Sequence, residues 1–261
     1  MKTIILFDVD GTLTESRKFI KPNMVNTINS LKKLQDTTIA IVGGSDFEKQ
    51  IEQLGEDTLK LFDYVFSENG LVAYENRESK FELFHSNKIS QFLGNTNYNK
   101  LINICLMELS KVECPVKTGT FIESRTGMIN ISPIGRTCTQ EQRDNFDKLD
   151  VIHNYRKNLI KEISNKWDIY RIISKEEISE LSFSIGGQIS IDIFPKGWDK
   201  TYCLQFVKDE FDRILFFGDK TMKGGNDYEI YSHKLTEAYN VTSPEDTIEK
   251  LNNLFNIASP K

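Results

Sequence analysis

Apolar residues first gather in a short unbroken run, Thr3–Phe7, which stops at Asp8-Val9-Asp10-Gly11-Thr12. A run of this length without polar alternation predicts a strand buried on both faces. Residues 22–34 follow at helical spacing, with Pro22 suited to a first helical turn. Thr37–Val42 predicts a second buried strand, ending in Gly43-Gly44-Ser45-Asp46. Phe47–Leu54 resumes the helical period. Residues 64–66 predict a third strand before Glu68-Asn69-Gly70 and a further apolar stretch, 71–74. Strand, helix, strand, helix, strand predicts a parallel sheet with helices on its faces. Such crossovers place the loops after the strands along one edge, where ligands bind.

The middle of the chain has a different rhythm. Residues 99–109 predict an amphipathic helix, and residues 121–134 alternate as a strand does. Residues 142–167 read as one long charged helix. Residues 181–194 alternate over their second half, with Ile189, Ile191 and Ile193 against Ser190 and Asp192. Alternation of this kind predicts an antiparallel sheet with one polar face. Ser190 and Asp192 then share that wetter face. The first rhythm returns with a helix over 198–207, a buried strand over 213–217 and helices over 229–232 and 247–255. The chain therefore predicts an α/β core, residues 1–84 and 195–261, interrupted by an inserted α+β unit over residues 85–194.

Composition narrows the classes. With 33 Lys+Arg against 38 Asp+Glu, the net charge of −5 gives no basic field for nucleic acid. The acidic excess belongs to the predicted core (net −6), whereas the insert carries +1. No apolar run approaches the ~18 residues of a membrane helix. The opening apolar run meets Asp8 at once, so a secretory signal is not expected. The four cysteines, Cys105, Cys114, Cys138 and Cys203, show no CxxC pair or zinc spacing. Reduced thiols in a cytoplasmic protein are the expectation.

The chemistry sits on the predicted strand ends. Asp8 and Asp10 make a self-repelling acidic spot unless a hard divalent cation binds there. Gly43-Gly44-Ser45-Asp46 offers a hydroxyl and backbone N–H groups to a phosphoryl oxygen. Lys200 lies in a predicted helix start. Gly218-Asp219-Lys220-Thr221 and Gly224-Gly225-Asn226-Asp227 follow the last strand. A carboxylate nucleophile, a hydroxyl, a lysine and a distant acidic ligand are the parts of phosphoryl transfer through an aspartyl-phosphate.

These four segments resemble the motifs of the haloacid dehalogenase superfamily. FDVDGTLT, VGGSD, SENGLVAY, SPIGR, GGQISIDIFPKGWDKTYCL and GDKTMKGGNDYEI resemble, more closely, eukaryotic-type phosphomannomutases. The resemblance runs from Phe7 to about Thr247. It implies a Rossmann-like core and makes the insert a cap, the substrate-specificity domain. It implies Asp8 as nucleophile, Asp10 as general acid/base, and Ser45 and Lys200 as phosphoryl contacts. Mg²⁺ would be held by Asp8, the carbonyl of Asp10, and Asp219. Arg17, Arg125, Arg136 and Arg143 match positions that hold the distant phosphate of a hexose phosphate, and Ser190 and Asp192 match contacts to sugar hydroxyls. The implied reaction is interconversion of mannose 6-phosphate and mannose 1-phosphate, with a hexose 1,6-bisphosphate as intermediate and activator, feeding GDP-mannose synthesis. A homodimer joined through the cap is implied as well, with no nucleic-acid or membrane partner. A sugar-phosphate phosphatase is the alternative, and a non-catalytic binding protein a weaker one. The family's second cation site corresponds to Tyr231, His233 and Thr236. There His233 replaces an Asp, and neutral imidazole is a poor ligand for Mg²⁺, so that site is expected to be weak, altered or absent.

Overall fold

The computed structural model describes residues 1–174 and 176–257. In chain order the elements are β1 (Thr3–Phe7), α1 (Pro22–Lys32), β2 (Thr37–Val42), α2 (Phe47–Leu54), α3 (Glu56–Leu59), β3 (Tyr64–Ser67), β4 (Val72–Arg77) and β5 (Lys80–Ser86). Then come α4 (Ile89–Lys111), β6 (Ile122–Ser124), β7 (Ile129–Ile131), α5 (Gln140–His153), α6 (Tyr155–Ser174), β8 (Leu181–Gly186) and β9 (Ser190–Pro195). The last elements are α7 (Leu204–Val207), β10 (Arg213–Gly218), α8 (Tyr228–Tyr231), β11 (Thr236–Asn240) and α9 (Pro244–Phe255). Two compact units result: residues 1–86 with 198–261, and residues 87–197.

The first unit is built on a seven-stranded sheet in the order β11-β10-β1-β2-β3-β4-β5. Its first five strands are parallel, and β4 and β5 turn back antiparallel. The central strands have no wet face, which is why their sequences run apolar without alternation. Ile5, Phe7, Ile39, Ile41, Leu215 and Phe217 pack on one side with Met24, Ile28 and Leu251 of α1 and α9. Ile4, Leu6, Ala40, Val42, Ile214 and Phe216 pack on the other with Leu204, Val207 and Ile230. Each of these side chains larger than alanine contributes about 1.5–3 kcal/mol on burial. In register Phe7 lies opposite both Ile41 and Phe217, so the chain leaves β1, β2 and β10 at one sheet edge.

The second unit carries a four-stranded antiparallel sheet, β6-β7-β9-β8. Ile129, Ile131, Ile191 and Ile193 are fully buried, and α6 packs on β8 and β9. Residues 121–134 form two strands and a turn rather than one strand, and residues 181–194 likewise fold into a hairpin through Gly187. The expected single helix over 142–167 is two helices. Asn154, at φ 55°, breaks the chain in a left-handed conformation that asparagine tolerates. A capping box between Thr139 and Gln142 starts α5. Arg156 is buried and anchors this corner, donating from Nε to Asp150 at 2.7 Å and from Nη1 to the carbonyl of Gly187 at 2.8 Å. All four cysteines are free thiols. Among the described residues no helix is long and apolar enough to cross a membrane.

Candidate active site

The loops after β1, β2 and β10 and the segment before α7 supply the site in the first unit. Asp8 continues the β1 ladder by donating its N–H to the carbonyl of Phe217 at 2.9 Å, and is 5% exposed. The chain then turns at Gly11 (φ 81°), where a Cβ would collide with the carboxylate of Asp219. Only glycine lets these two loops approach so closely. Gly218 plays the same part for Asp227, whose Oδ2 would lie 2.6 Å from an added Cβ.

Lys200 is the centre of the cluster. Asp199 caps the 3-10 turn Lys200–Cys203 by accepting from the N–H of Thr201 at 2.9 Å. The buried Lys200 Nζ donates to Asp8 and to Asp227. Asp227 is itself fully buried and accepts from the N–H of Lys220 at 3.0 Å. One carboxylate oxygen each from Asp8, Asp219 and Asp227 lie within 4.8 Å of one another. Three carboxylates against one ammonium leave the cluster at −2.

That charge is expensive where it sits. Burial pushes the Asp8 carboxyl up to about 7 against the pull of Lys200, and Asp227 adds to the rise. Burial, then Asp227, also raises Asp219. Burial alone would lower Lys200, but Asp227 and Asp8 outweigh it and hold the ammonium charged. Asp219 Oδ1 is buried without a hydrogen-bond partner. An orphaned carboxylate oxygen beside two more in an all-oxygen set fits a hard divalent cation.

The family resemblance implies Asp8, the carbonyl of Asp10, and Asp219 as ligands. The structure brings Asp8 and Asp219 together and adds Asp227, a residue of the quoted GGND segment given no role there. The side chain of Asp10 is engaged elsewhere. Its Oδ1 accepts from the N–H of Arg17 at 2.8 Å and from Gln53 Nε2 at 2.7 Å. Gln53 also donates to Thr14 Oγ1 at 2.7 Å, which fixes the amide's orientation. Arg17 takes a left-handed backbone, φ 61°, and its side chain is exposed. Ser45 is half-buried on the loop after β2, its carbonyl accepting from the N–H of Glu68 at 3.0 Å. Asp46 caps α2 by accepting from the N–H of Lys49 at 2.9 Å.

The second unit holds its own polar cluster. Cross-strand pairing puts Glu123 opposite Asn130, and Asn130 opposite Asp192. Asn130 Nδ2 donates to Asp192 at 2.6 Å and Asn130 Oδ1 accepts from Arg136 Nη1 at 2.7 Å. Arg136 also pairs with Glu123 at 3.0 Å and reaches Ser190 Oγ at 3.4 Å. Arg125 pairs with Glu123 at 3.0 Å, and Arg143 donates to the carbonyl of Arg136 at 2.7 Å. Five of the expected residues thus meet on one sheet face. Glu123, which alternation places on one strand face with Arg125, and Asn130 link them. The face is less wet than alternation implied: Ser190 is only 6% exposed, and burial raises the Asp192 carboxyl.

Tyr231 ends α8, His233 lies on the turn that follows, and Thr236 opens β11. Thr236 Oγ1 donates to the carbonyls of Ile230 (2.6 Å) and His233 (2.9 Å). His233 Nδ1 accepts from the N–H of Leu235 at 3.3 Å. These contacts are those of a closed turn. Among the described residues the one carboxylate, thiol or imidazole cluster compact enough for a metal is Asp8-Asp219-Asp227.

Comparison with known proteins places this geometry. A family model described as eukaryotic phosphomannomutase matches residues 24–257. A phosphomannomutase of Dendrobium officinale is 50% identical over 247 residues, covering 95% of this chain and 92% of the relative. Among solved structures, an IMP-bound, N-terminally truncated IMP-nucleotidase of Plasmodium falciparum superposes with TM-score 0.64 at 18% identity, over 97% of this chain and 68% of that one. A haloacid dehalogenase-like hydrolase of Bacteroides thetaiotaomicron gives 0.60 at 15% identity, over 98% of this chain and all of the other. The two structures share the fold, and the sequence matches settle the lineage: the chain belongs to the eukaryotic phosphomannomutase family.

Proposed function

We propose that the chain is an enzyme that interconverts mannose 6-phosphate and mannose 1-phosphate through an aspartyl-phosphate on Asp8. The observation that carries the reading is the buried Asp8 held by Lys200 beside an unpartnered Asp219 oxygen. A carboxylate so placed is fixed for attack and shielded from bulk water.

In the first half-reaction an Asp8 oxygen attacks one phosphorus of a hexose 1,6-bisphosphate. The bond from phosphorus to the sugar oxygen breaks, and Asp10 gives that oxygen a proton. In the second, Asp10 takes the proton from the hydroxyl at the other end of a hexose monophosphate. That oxygen attacks the phosphorus, and Asp8 returns as a carboxylate. Gln53 and the N–H of Arg17 hold Asp10 through one oxygen, leaving the other for the proton. Lys200 and Ser45 contact the phosphoryl oxygens. Mg²⁺, with Asp8, Asp219 and Asp227 as its side-chain donors, supplies positive charge against the phosphoryl group when bound.

A mutase must also hold the phosphate that is not reacting. Arg125, Arg136 and Arg143 of the second unit suit that task because a guanidinium fork matches phosphate, and the family resemblance gives Arg17 a phosphate-binding role. Ser190 and Asp192 suit the sugar hydroxyls. Glu123 and Asn130 hold the Arg136 guanidinium through Nε and Nη1. Activation by a hexose 1,6-bisphosphate, a homodimer through the second unit and a cytoplasmic location complete the reading and rest on the family resemblance. The second cation site at Tyr231, His233 and Thr236 rests on the family resemblance alone, with His233 in place of an Asp as its weakening feature.

Asp8→Asn tests the chemistry. The variant is expected to bind mannose 1-phosphate by calorimetry while losing turnover and the hydroxylamine-labile phosphorylation that an acid quench traps on the parent. Full activity in that variant excludes an aspartyl-phosphate.

A further inference from the structure

The connection from β3 to β4 is built against ordinary backbone preference. Glu68, Asn69 and Gly70 have φ of 47°, 65° and 98°. Three successive left-handed residues, two of them bearing side chains, carry strain that the surrounding structure must hold. Antiparallel strands joined by four residues ordinarily use a type I turn, which needs no such path. The segment is also buried, with Glu68 4% and Asn69 9% exposed.

The contacts show what the unusual path provides. The N–H of Glu68 donates to the carbonyl of Ser45 at 3.0 Å, and the N–H of Asn69 to the carbonyl of Gly43 at 2.8 Å. Asn69 Nδ2 donates to the carbonyl of Trp198 at 3.4 Å. Gly70 lies so close to Cys203 that an added Cβ would sit 3.0–3.1 Å from its backbone and Cβ. One side of the turn therefore grips the loop that bears Ser45. The other abuts the segment from Trp198 to Cys203, which bears Lys200.

We propose that the left-handed turn Glu68-Asn69-Gly70 is a positioning element that sets Ser45 and Lys200 at the spacing phosphoryl transfer requires, with Asn69 as its side-chain link. This rests on the reading that both residues contact the transferred group. Asn69 touches no reacting atom; it acts through the carbonyls at both ends of its reach.

Two substitutions separate the link from the backbone shape. Asn69→Gly keeps the left-handed conformation and removes the amide. Asn69→Asp keeps the shape and turns a carboxylate toward the Trp198 carbonyl. Ser45→Ala serves as a control for the underlying reading. Melting temperature, KM for mannose 1-phosphate and kcat are measured on the full chain with Mg²⁺. Asn69→Gly is expected to melt within about 4 °C of the parent, and Asn69→Asp, which turns a buried charge toward a carbonyl, further below it. KM should hold within about threefold while kcat falls roughly tenfold to a hundredfold, as a displacement near 1 Å would cause. Parental kcat in either Asn69 variant, with Ser45→Ala impaired, overturns the proposal. So does a kcat loss that only tracks the fraction unfolded. Parental kcat in Ser45→Ala instead removes the reading of Ser45 on which the proposal rests.

Discussion

Lys200→Met gives a prediction whose two parts have opposite signs. The Lys200 ammonium is fully buried and holds two carboxylates, with Asp219 a third nearby. Without it the cluster goes from −2 to −3 in the same volume. Removing one partner from a buried ion pair costs about 3–5 kcal/mol. At about 2–4 °C per kcal/mol for chains of this size, the melting temperature in chelator should fall by roughly 6–20 °C. A divalent cation meets the reverse situation, because a repelling charge is gone. For charges of +2 and +1 about 5 Å apart, that repulsion is ~1.7 kcal/mol at a dielectric of 80 and ~6.6 at 20. Even the lower figure is more than a tenfold gain in affinity. The assay is a thermal melt in EDTA and across a Mg²⁺ titration. It is run at pH 8.5, because losing Lys200 drives Asp8 further up and protons then compete with the cation. The variant should be inactive, less stable in EDTA, and bound by Mg²⁺ at least about tenfold more tightly. Unchanged stability in EDTA, or a smaller Mg²⁺ response than in the parent, refutes the electrostatic account.

Three further outcomes follow from the same geometry. Gln53→Leu removes a donor from Asp10 and should lower kcat by about tenfold or more with KM little changed, by steady-state kinetics. Arg136→Ala should raise KM for mannose 1-phosphate roughly 10- to 150-fold, the worth of about 1.5–3 kcal/mol for a charged hydrogen bond. Asp8 at about 7 in the folded chain, against an ordinary 3.8, binds a proton that the unfolded chain has released. In chelator that group costs stability progressively from about pH 4 to pH 7 and no more above. Asp8→Asn should therefore gain on the parent across that window in denaturant melts. A difference that stays flat with pH counts against the burial of a charged Asp8.

How much was legible in the sequence followed burial. The strands β1, β2, β3 and β10 are apolar on both faces, and their runs announced them. The edge strands did not: β5 reads KFELFHS with most positions exposed, and β11 is half-exposed along its length. Neither face supplies the contrast that a pattern needs. The break at Asn154 lacked a proline or glycine to mark it, and the kink at Gly94 (φ 73°) placed the start of α4 earlier than periodicity implied. Asp8, Lys200 and Asp219 stood in quoted motifs and converge in space. Gln53 left no local signal, because its role is a contact with Asp10 43 residues away. Asn130 was hidden in the same way, reading as one polar position between two isoleucines while its partner Asp192 lies on another strand.

The central claim is that phosphate moves between two ends of one sugar. Mannose 1-phosphate is incubated with the protein and Mg²⁺, with and without a trace of glucose 1,6-bisphosphate, and mannose 6-phosphate and free phosphate are followed together. The account predicts mannose 6-phosphate, stimulated by the bisphosphate, with little free phosphate. Free phosphate without mannose 6-phosphate would contradict it, making water the acceptor and the arginines of the second unit a device for selecting substrate.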